Sequence, residues 1–224
     1  MKYVSVAVDG PAGSGKSTIT KMVAKSLGFN YVDTGAMYRA LTYNFLSNGL
    51  DELEEEKIKE LLSRTEFRVE YVDGIQYVYI NDVEVSDKIR TAEVSKYTSL
   101  FAKSPAVRDF LIETQRNLAN TNNIIMDGRD IASVVLPNAD VKIFLTASVE
   151  ERARRRVLDF ERQGIENVDF EKVKEDIKAR DWQDENRDIA PLVKVESATL
   201  LDTTNLTIDE VVEKMAELVK SIEK

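Results

Sequence analysis

Two hydrophobic rhythms alternate along this chain. Short apolar, β-branched runs fall at residues 3–8, 31–32, 124–126, 141–145 and 200–201. Runs of this kind, polar on neither face, are the pattern of strands buried on both sides in a parallel sheet. Between them apolar positions recur at helical spacing, as in Ile19, Met22, Val23 and Leu27, and again in Val149, Ala153, Val157 and Phe160. The clearest amphipathic helix closes the chain through Ile208, Val211, Val212, Met215, Leu218, Val219 and Ile222. Strand alternating with helix predicts an α/β three-layer sandwich around a parallel central sheet, with ligands at the carboxyl ends of its strands.

Residues 66–85 break the rhythm. They alternate apolar and polar in the manner of strands and carry turn pairs at Asp73-Gly74 and Asn81-Asp82, which predicts a small antiparallel β insertion. With its neighbouring helical segments it forms an expected lobe over about 51–121, leaving a core of about 1–50, 122–150 and 190–224 and a helical segment over about 151–189. The acidic run at 51–60 has lysines and leucines mixed into it and reads as a solvated helix face. No internal repeat or Pro-rich linker interrupts the chain.

Composition narrows the chemistry. At 224 residues and 43% hydrophobic content the chain can close a sizeable core. Its net charge of −9 argues against polymeric nucleic acid or an anionic membrane as a partner, so any phosphate it binds is held locally. It has no cysteine and no histidine, which removes disulfides, zinc–thiolate sites, thiol nucleophiles and Ser-His-Asp catalysis. Phosphoryl transfer survives both absences, because it asks for positioning and charge from backbone amides, Lys, Arg, carboxylates and Mg²⁺. The apolar N-terminal stretch is too short and interrupted for a signal peptide or a spanning helix, and the expected compartment is the cytoplasm.

One motif supplies such a site. Gly10, Pro11, Ala12, Gly13, Ser14, Gly15, Lys16 and Ser17, followed by Thr18, match G-x-x-x-x-G-K-[ST] directly after a strand and before an amphipathic helix. The glycines let the backbone wrap a phosphate, successive amides and the helix N-terminus offer positive charge, Lys16 reaches the β and γ oxygens, and Ser17 is placed to coordinate Mg²⁺. Asp9 ends the preceding strand, where it either holds a magnesium-bound water or braces the loop backbone. Asp127 follows a second buried strand in the position of a Walker-B acid, with the same two roles open to it. The motif alone also fits GTPases, transporters and helicases. Arginines at 39, 108, 129, 152, 154, 155, 156, 180 and 187 suggest a reaction centre that must gather two polyanions, although residues 150–156 also read as an ordinary charged helix face.

Five segments, GPAGSGKST, DTGAMYR, SPAVRDFLIETQR, DGRDIASVVLPNADVKIFLTAS and RDWQDENRDIAPL, run in this order through nearly the whole chain. Together they resemble the bacterial cytidylate kinases, P-loop nucleoside monophosphate kinases with an antiparallel insertion in the acceptor lobe and a helical lid. The resemblance implies transfer of the γ-phosphoryl group of ATP to CMP or dCMP by a monomer. It also implies that Thr34, Arg39, Arg129 and Arg187 hold the acceptor phosphate beside Tyr38. Ser99, Arg108 and Asp130 would read cytosine, Arg180 and Asp184 the pentose, and Arg152 and Arg155 would close from the lid. Lys16 and the arginines at 129, 152, 155 and 187 are then the catalytic cations.

The chemistry of the base agrees, since cytosine offers an amino donor and a ring acceptor that a hydroxyl, a carboxylate and an arginine could read. Plainer roles remain open: Ser99 as a helix surface residue, Arg108 paired with Glu113, and Asp130 capping a helix. Trp182 departs from the family pattern and reads as packing. An acceptor phosphate is already anionic, so direct in-line transfer needs no strong base. The rivals are another small P-loop kinase, acting on shikimate, dephospho-coenzyme A, UMP or AMP, and a nucleotide-binding switch.

Overall fold

A computed structural model describes residues 3–72 and 74–221. By internal contacts the chain divides into two compact units, one holding Gly28–Ile124 and the other Val4–Leu27 with the chain from Ile125 onward.

The second unit is the parallel α/β part. Its elements are β1 (Ser5–Asp9), α1 (Lys16–Leu27), and, in the later stretch, β6 (Ile124–Gly128), β7 (Val141–Thr146), α6 (Val149–Arg162), α7 (Phe170–Glu185), β8 (Thr199–Asp202) and α8 (Ile208–Lys220). Strand β1 lies between β6 and β7, and β8 flanks β7. The β1–β7 and β7–β8 pairs are parallel. Val6, Ala7, Val8, Ile124, Ile125 and Met126 are fully buried, which is why these strands read as unbroken apolar runs. Strand β8 closes the order, and only one of its faces is covered: Leu201 is buried while Leu200 is 55% exposed, so the expectation of two buried leucines fails at an edge. Tyr3 likewise lies before β1 and is exposed.

Local signals set the helix starts. Ser148 caps α6, Asp169 caps α7, and Thr207 with Glu210 forms a capping box on α8. Helices α6 and α7 share a small core of Ala153, Val173 and Ile177, joined by Val149, Val157 and Phe160. Trp182, expected to pack, is 66% exposed. The closing helix keeps its apolar stripe on Val211, Met215 and Val219; Ile222, counted into that stripe from sequence, lies outside the described residues.

The first unit contains β2 (Asn30–Asp33), α2 (Thr34–Ser47), α3 (Glu55–Ser63), β3 (Phe67–Val72), β4 (Ile75–Ile80), β5 (Val83–Glu84), α4 (Ala92–Phe101) and α5 (Pro105–Thr121). The alternating segment is the expected antiparallel sheet, ordered β3-β4-β5. At the β4–β5 turn Asn81 and Asp82 both have positive φ, 48° and 63°, the conformation of a tight two-residue hairpin. Of the other expected turn pair, Gly74 has φ 75°, and Asp73 lies outside the described residues. Phe45 packs on Phe101 with ring centroids 5.0 Å apart, joining α2 to α4. Of the acidic run only residues 55–60 are helical, in α3, and residues 51–54 precede it; Lys57 and Lys59 pair with Glu54 and Glu56 on the surface, while Glu55 turns inward to accept from Ser104 Oγ and Ala106 N at the start of α5.

Candidate functional site

The loop between β1 and α1 is shaped by close approach. Gly10 has φ 149°, and a Cβ there would stand 2.0 Å from the Leu145 carbonyl oxygen, so only glycine passes. Gly13 and Gly15, at φ 74° and 87°, turn the chain into the N-terminus of α1. Lys16 is the first residue of that helix and is buried; its Nζ donates to the Pro11 carbonyl at 2.8 Å. Its pKa lies well below the usual lysine value, first because of burial and then because of the Arg129 charge, with Asp127, Asp9 and Asp184 opposing.

Ser17 Oγ donates to Asp127 Oδ2 at 2.7 Å. A hydroxyl and a carboxylate oxygen side by side at the mouth of a phosphate loop are hard donors of the kind Mg²⁺ takes, one or two from the protein and the rest from phosphate and water. Among the described residues no cluster of three or more acidic side chains makes a metal cage of its own. Asp9, expected either to hold a magnesium-bound water or to brace the phosphate loop, reaches a different segment: its two oxygens accept from Ile131 N at 2.8 Å and Ala132 N at 2.7 Å. Burial raises its pKa to about 6, with Asp130 adding and the two amides and Lys16 opposing. The segment it holds is the helical turn that follows Asp127-Gly-Arg-Asp130.

That motif brings several expected residues together. Arg129 Nε donates to Asp184 Oδ2 at 2.6 Å. Arg187 donates through Nε to the Ala190 carbonyl, and its Nη2 stands 3.5 Å from Asp130 Oδ1, an ion pair without hydrogen-bond geometry. Asp130 precedes the turn but gives it no side-chain cap. Arg180 is pushed below its ordinary pKa by desolvation and by Arg129, with Asp184 opposing.

On α6, Arg152 is buried, donating to Ala147 O, to Ala12 O of the phosphate loop and with both Nη atoms to Asp181. Arg155 reaches Ser14 O at 3.3 Å and is anchored on Thr203 and Glu151. Both arginines thus already touch the loop backbone. Alongside lies a cavity of about 660 Å³ bordered by Gly13–Gly15, Thr18, Arg156, Arg180 and Leu206.

In the first unit, Thr34 is buried at the start of α2 and Arg39 pairs with Asp33 at 3.2 Å. Arg108 is 4% exposed and its Nη1 donates to Tyr38 Oη at 3.4 Å. Ser99 is an exposed position of α4. Sequence reasoning missed Asp181, Thr203 and Gln76, which hold Arg152, Arg155 and Asp33; nothing in their local sequence marks them.

Residues 6–221 match the family pattern described as cytidylate kinase. A cytidylate kinase of Leuconostoc mesenteroides is 49% identical over 221 residues, covering 99% of this chain and 98% of that one. The cytidylate kinase of Bacillus subtilis is 46% identical over 219 residues, covering 98% and 97%. At the level of fold alone, an uncharacterised protein from Eubacterium ventriosum aligns over 97% of this chain and 99% of its own, with a TM-score of 0.53 at 13% identity. With its phosphate loop between β1 and α1, and matched nearly end to end by such relatives, this is a P-loop nucleoside monophosphate kinase, and the chain belongs to the cytidylate kinase family.

Proposed function

We propose that this chain transfers the γ-phosphoryl group of ATP to CMP or dCMP, giving ADP and CDP or dCDP, by direct in-line displacement. The observation that carries the reading is the match of residues 6–221 to the cytidylate kinase family, in a chain whose phosphate loop buries Lys16. The D-G-R-D turn supports it, with Arg129 held on Asp184 at 2.6 Å.

In this reading the amides of residues 10–18 and Lys16 hold the donor phosphates, and the 660 Å³ cavity beside them takes the nucleoside of ATP. Ser17 would hold Mg²⁺, with Asp127 or Asp9 holding its waters, and the ion would supply charge neutralisation to the donor phosphates. Arg39, Arg129 and Arg187 with the Thr34 hydroxyl orient the acceptor phosphate. Its oxygen is anionic at neutral pH and attacks without a general base, which suits a chain lacking histidine. Arg152 and Arg155 close from a lid of about 151–189, the acceptor lobe spans about 51–121, Ser99, Arg108 and Asp130 read the base, and Arg180 and Asp184 contact the pentose. The reading takes the enzyme as a cytoplasmic monomer; no helix among the described residues is long and apolar enough to cross a membrane.

The test is kinetic. Lys16→Ala and Arg129→Ala are each expected to lower kcat by about 100-fold or more, the scale of losing a preorganised charge at the transferring group, in protein that is still folded at the assay temperature. Near-normal turnover at saturating substrates in either variant would overturn the scheme.

A further inference from the structure

Asp33, the last residue of β2, is held from three sides within its own unit. Its backbone N–H donates to Gln76 Oε1 at 2.7 Å, and its backbone carbonyl accepts from Gln76 Nε2 at 3.3 Å. One planar carboxamide from β4 therefore pairs with both main-chain groups of a residue 43 positions away, doing for Asp33 what a neighbouring strand would do. The Asp33 carboxylate is divided between two further tasks. Oδ1 accepts from Ala36 N at 2.8 Å and caps α2; Oδ2 faces Arg39 Nη2 at 3.2 Å. Gly35 leaves room for this fork, since a Cβ there would lie 3.0 Å from Arg39 Nη1 and 3.1 Å from Asp33 Oδ1.

We infer that Gln76 is a positioning residue for acceptor binding: by clamping the Asp33 backbone it fixes the start of α2 and so sets where Thr34 and Arg39 stand. The antiparallel insertion then orients the phosphate end of the acceptor through a single side chain. The β3–β4 ladder does not need this side chain, because the Gln76 backbone pairs with Tyr71 whatever the residue carries. The clamp also differs in kind from packing. An apolar side chain of the same length would fill the space and leave the Asp33 N–H and C=O without the partner they have now.

The inference rests on the reading of Thr34 and Arg39 as acceptor-phosphate groups, so its test has two arms. In steady-state assays, Gln76→Leu is expected to raise KM for CMP about tenfold, with KM for ATP within about twofold and kcat within about threefold of wild type. Gln76→Glu keeps the acceptor for Asp33 N but loses the donor to Asp33 O, and an intermediate rise is expected. In the second arm, hydrogen exchange is followed at the Asp33 and Ala36 amides in nucleotide-free protein, where Gln76→Leu is expected to speed exchange at both. Faster exchange in a protein whose wild type ignores CMP would uphold the clamp while sinking the substrate reading. Unchanged exchange in both variants, or a wild-type KM for CMP in variants whose only change is a lower melting temperature, would overturn the inference, as would an equal rise in both KM values.

Discussion

Replacing Arg152 with methionine removes the centre of a four-bond network that joins α6, α7 and the phosphate loop. The side chain is 5% exposed and its partner Asp181 15%, so both charges sit largely out of water. Met keeps most of the apolar stem but strands the Asp181 carboxylate and frees the Ala147 and Ala12 carbonyls. Breaking one side of a buried pair costs about 3–5 kcal/mol, chiefly the penalty of the charge left behind. For a chain of this size each kcal/mol moves the midpoint by about 2–4 °C, so a fall of about 6–20 °C is expected in a thermal melt. Adding Asp181→Leu removes the stranded carboxylate and is expected to restore part of the loss. Because Arg152 Nη1 also holds Ala12 O, KM for ATP rises in the single variant. A midpoint within about 2 °C of wild type would refute the view of Arg152 as a strut, and so would a double variant less stable than the single.

Two further outcomes follow from buried charge. Asp9 has a folded pKa raised from 3.8 to about 6, so between those values the folded chain holds a proton that the unfolded chain has lost. Its contribution to stability is therefore full below pH 3.8 and is lost as pH rises through about 6, at up to about 1.4 kcal/mol per pH unit. Urea unfolding at pH 4.5 and 6.5 should show this slope in wild type and not in Asp9→Asn; parallel curves would remove burial as the cause. Arg129→Ala strands Asp184, whose side chain is 19% exposed, so its melt should fall further than that of Lys16→Ala, which relieves a buried cation; the reverse order in a paired melting experiment would contradict that account.

Much of this arrangement is legible in the sequence, where chemistry and local geometry coincide. The phosphate loop needs Gly10, Gly13 and Gly15 for backbone reasons and Lys16 and Ser17 for chemical ones, all within eight residues. The hairpin at Asn81-Asp82 announces itself by residues that tolerate positive φ. What stays hidden is the set of residues whose role is another residue's position. Gln76 looks like any polar member of an alternating strand, Asp181 like one more acid on a charged helix, and Thr203 like a loop residue. Their partners lie 43, 29 and 48 positions away, beyond the reach of any periodicity. Trp182 and Leu200 mislead for the opposite reason, since an apolar side chain implies burial only where a second layer covers it. The arginines proposed for the site are singled out by resemblance; charge alone does not separate Arg129, bound to Asp184, from Arg154 on the exposed face of α6.

The central claim is the identity of the acceptor. It is tested most directly by following ADP production from MgATP with CMP, dCMP, UMP, AMP, GMP, dTMP, shikimate and no acceptor in parallel. The account expects strong turnover with CMP and dCMP, weak turnover with UMP and none elsewhere; hydrolysis without an acceptor, or preference for shikimate or AMP, would contradict it.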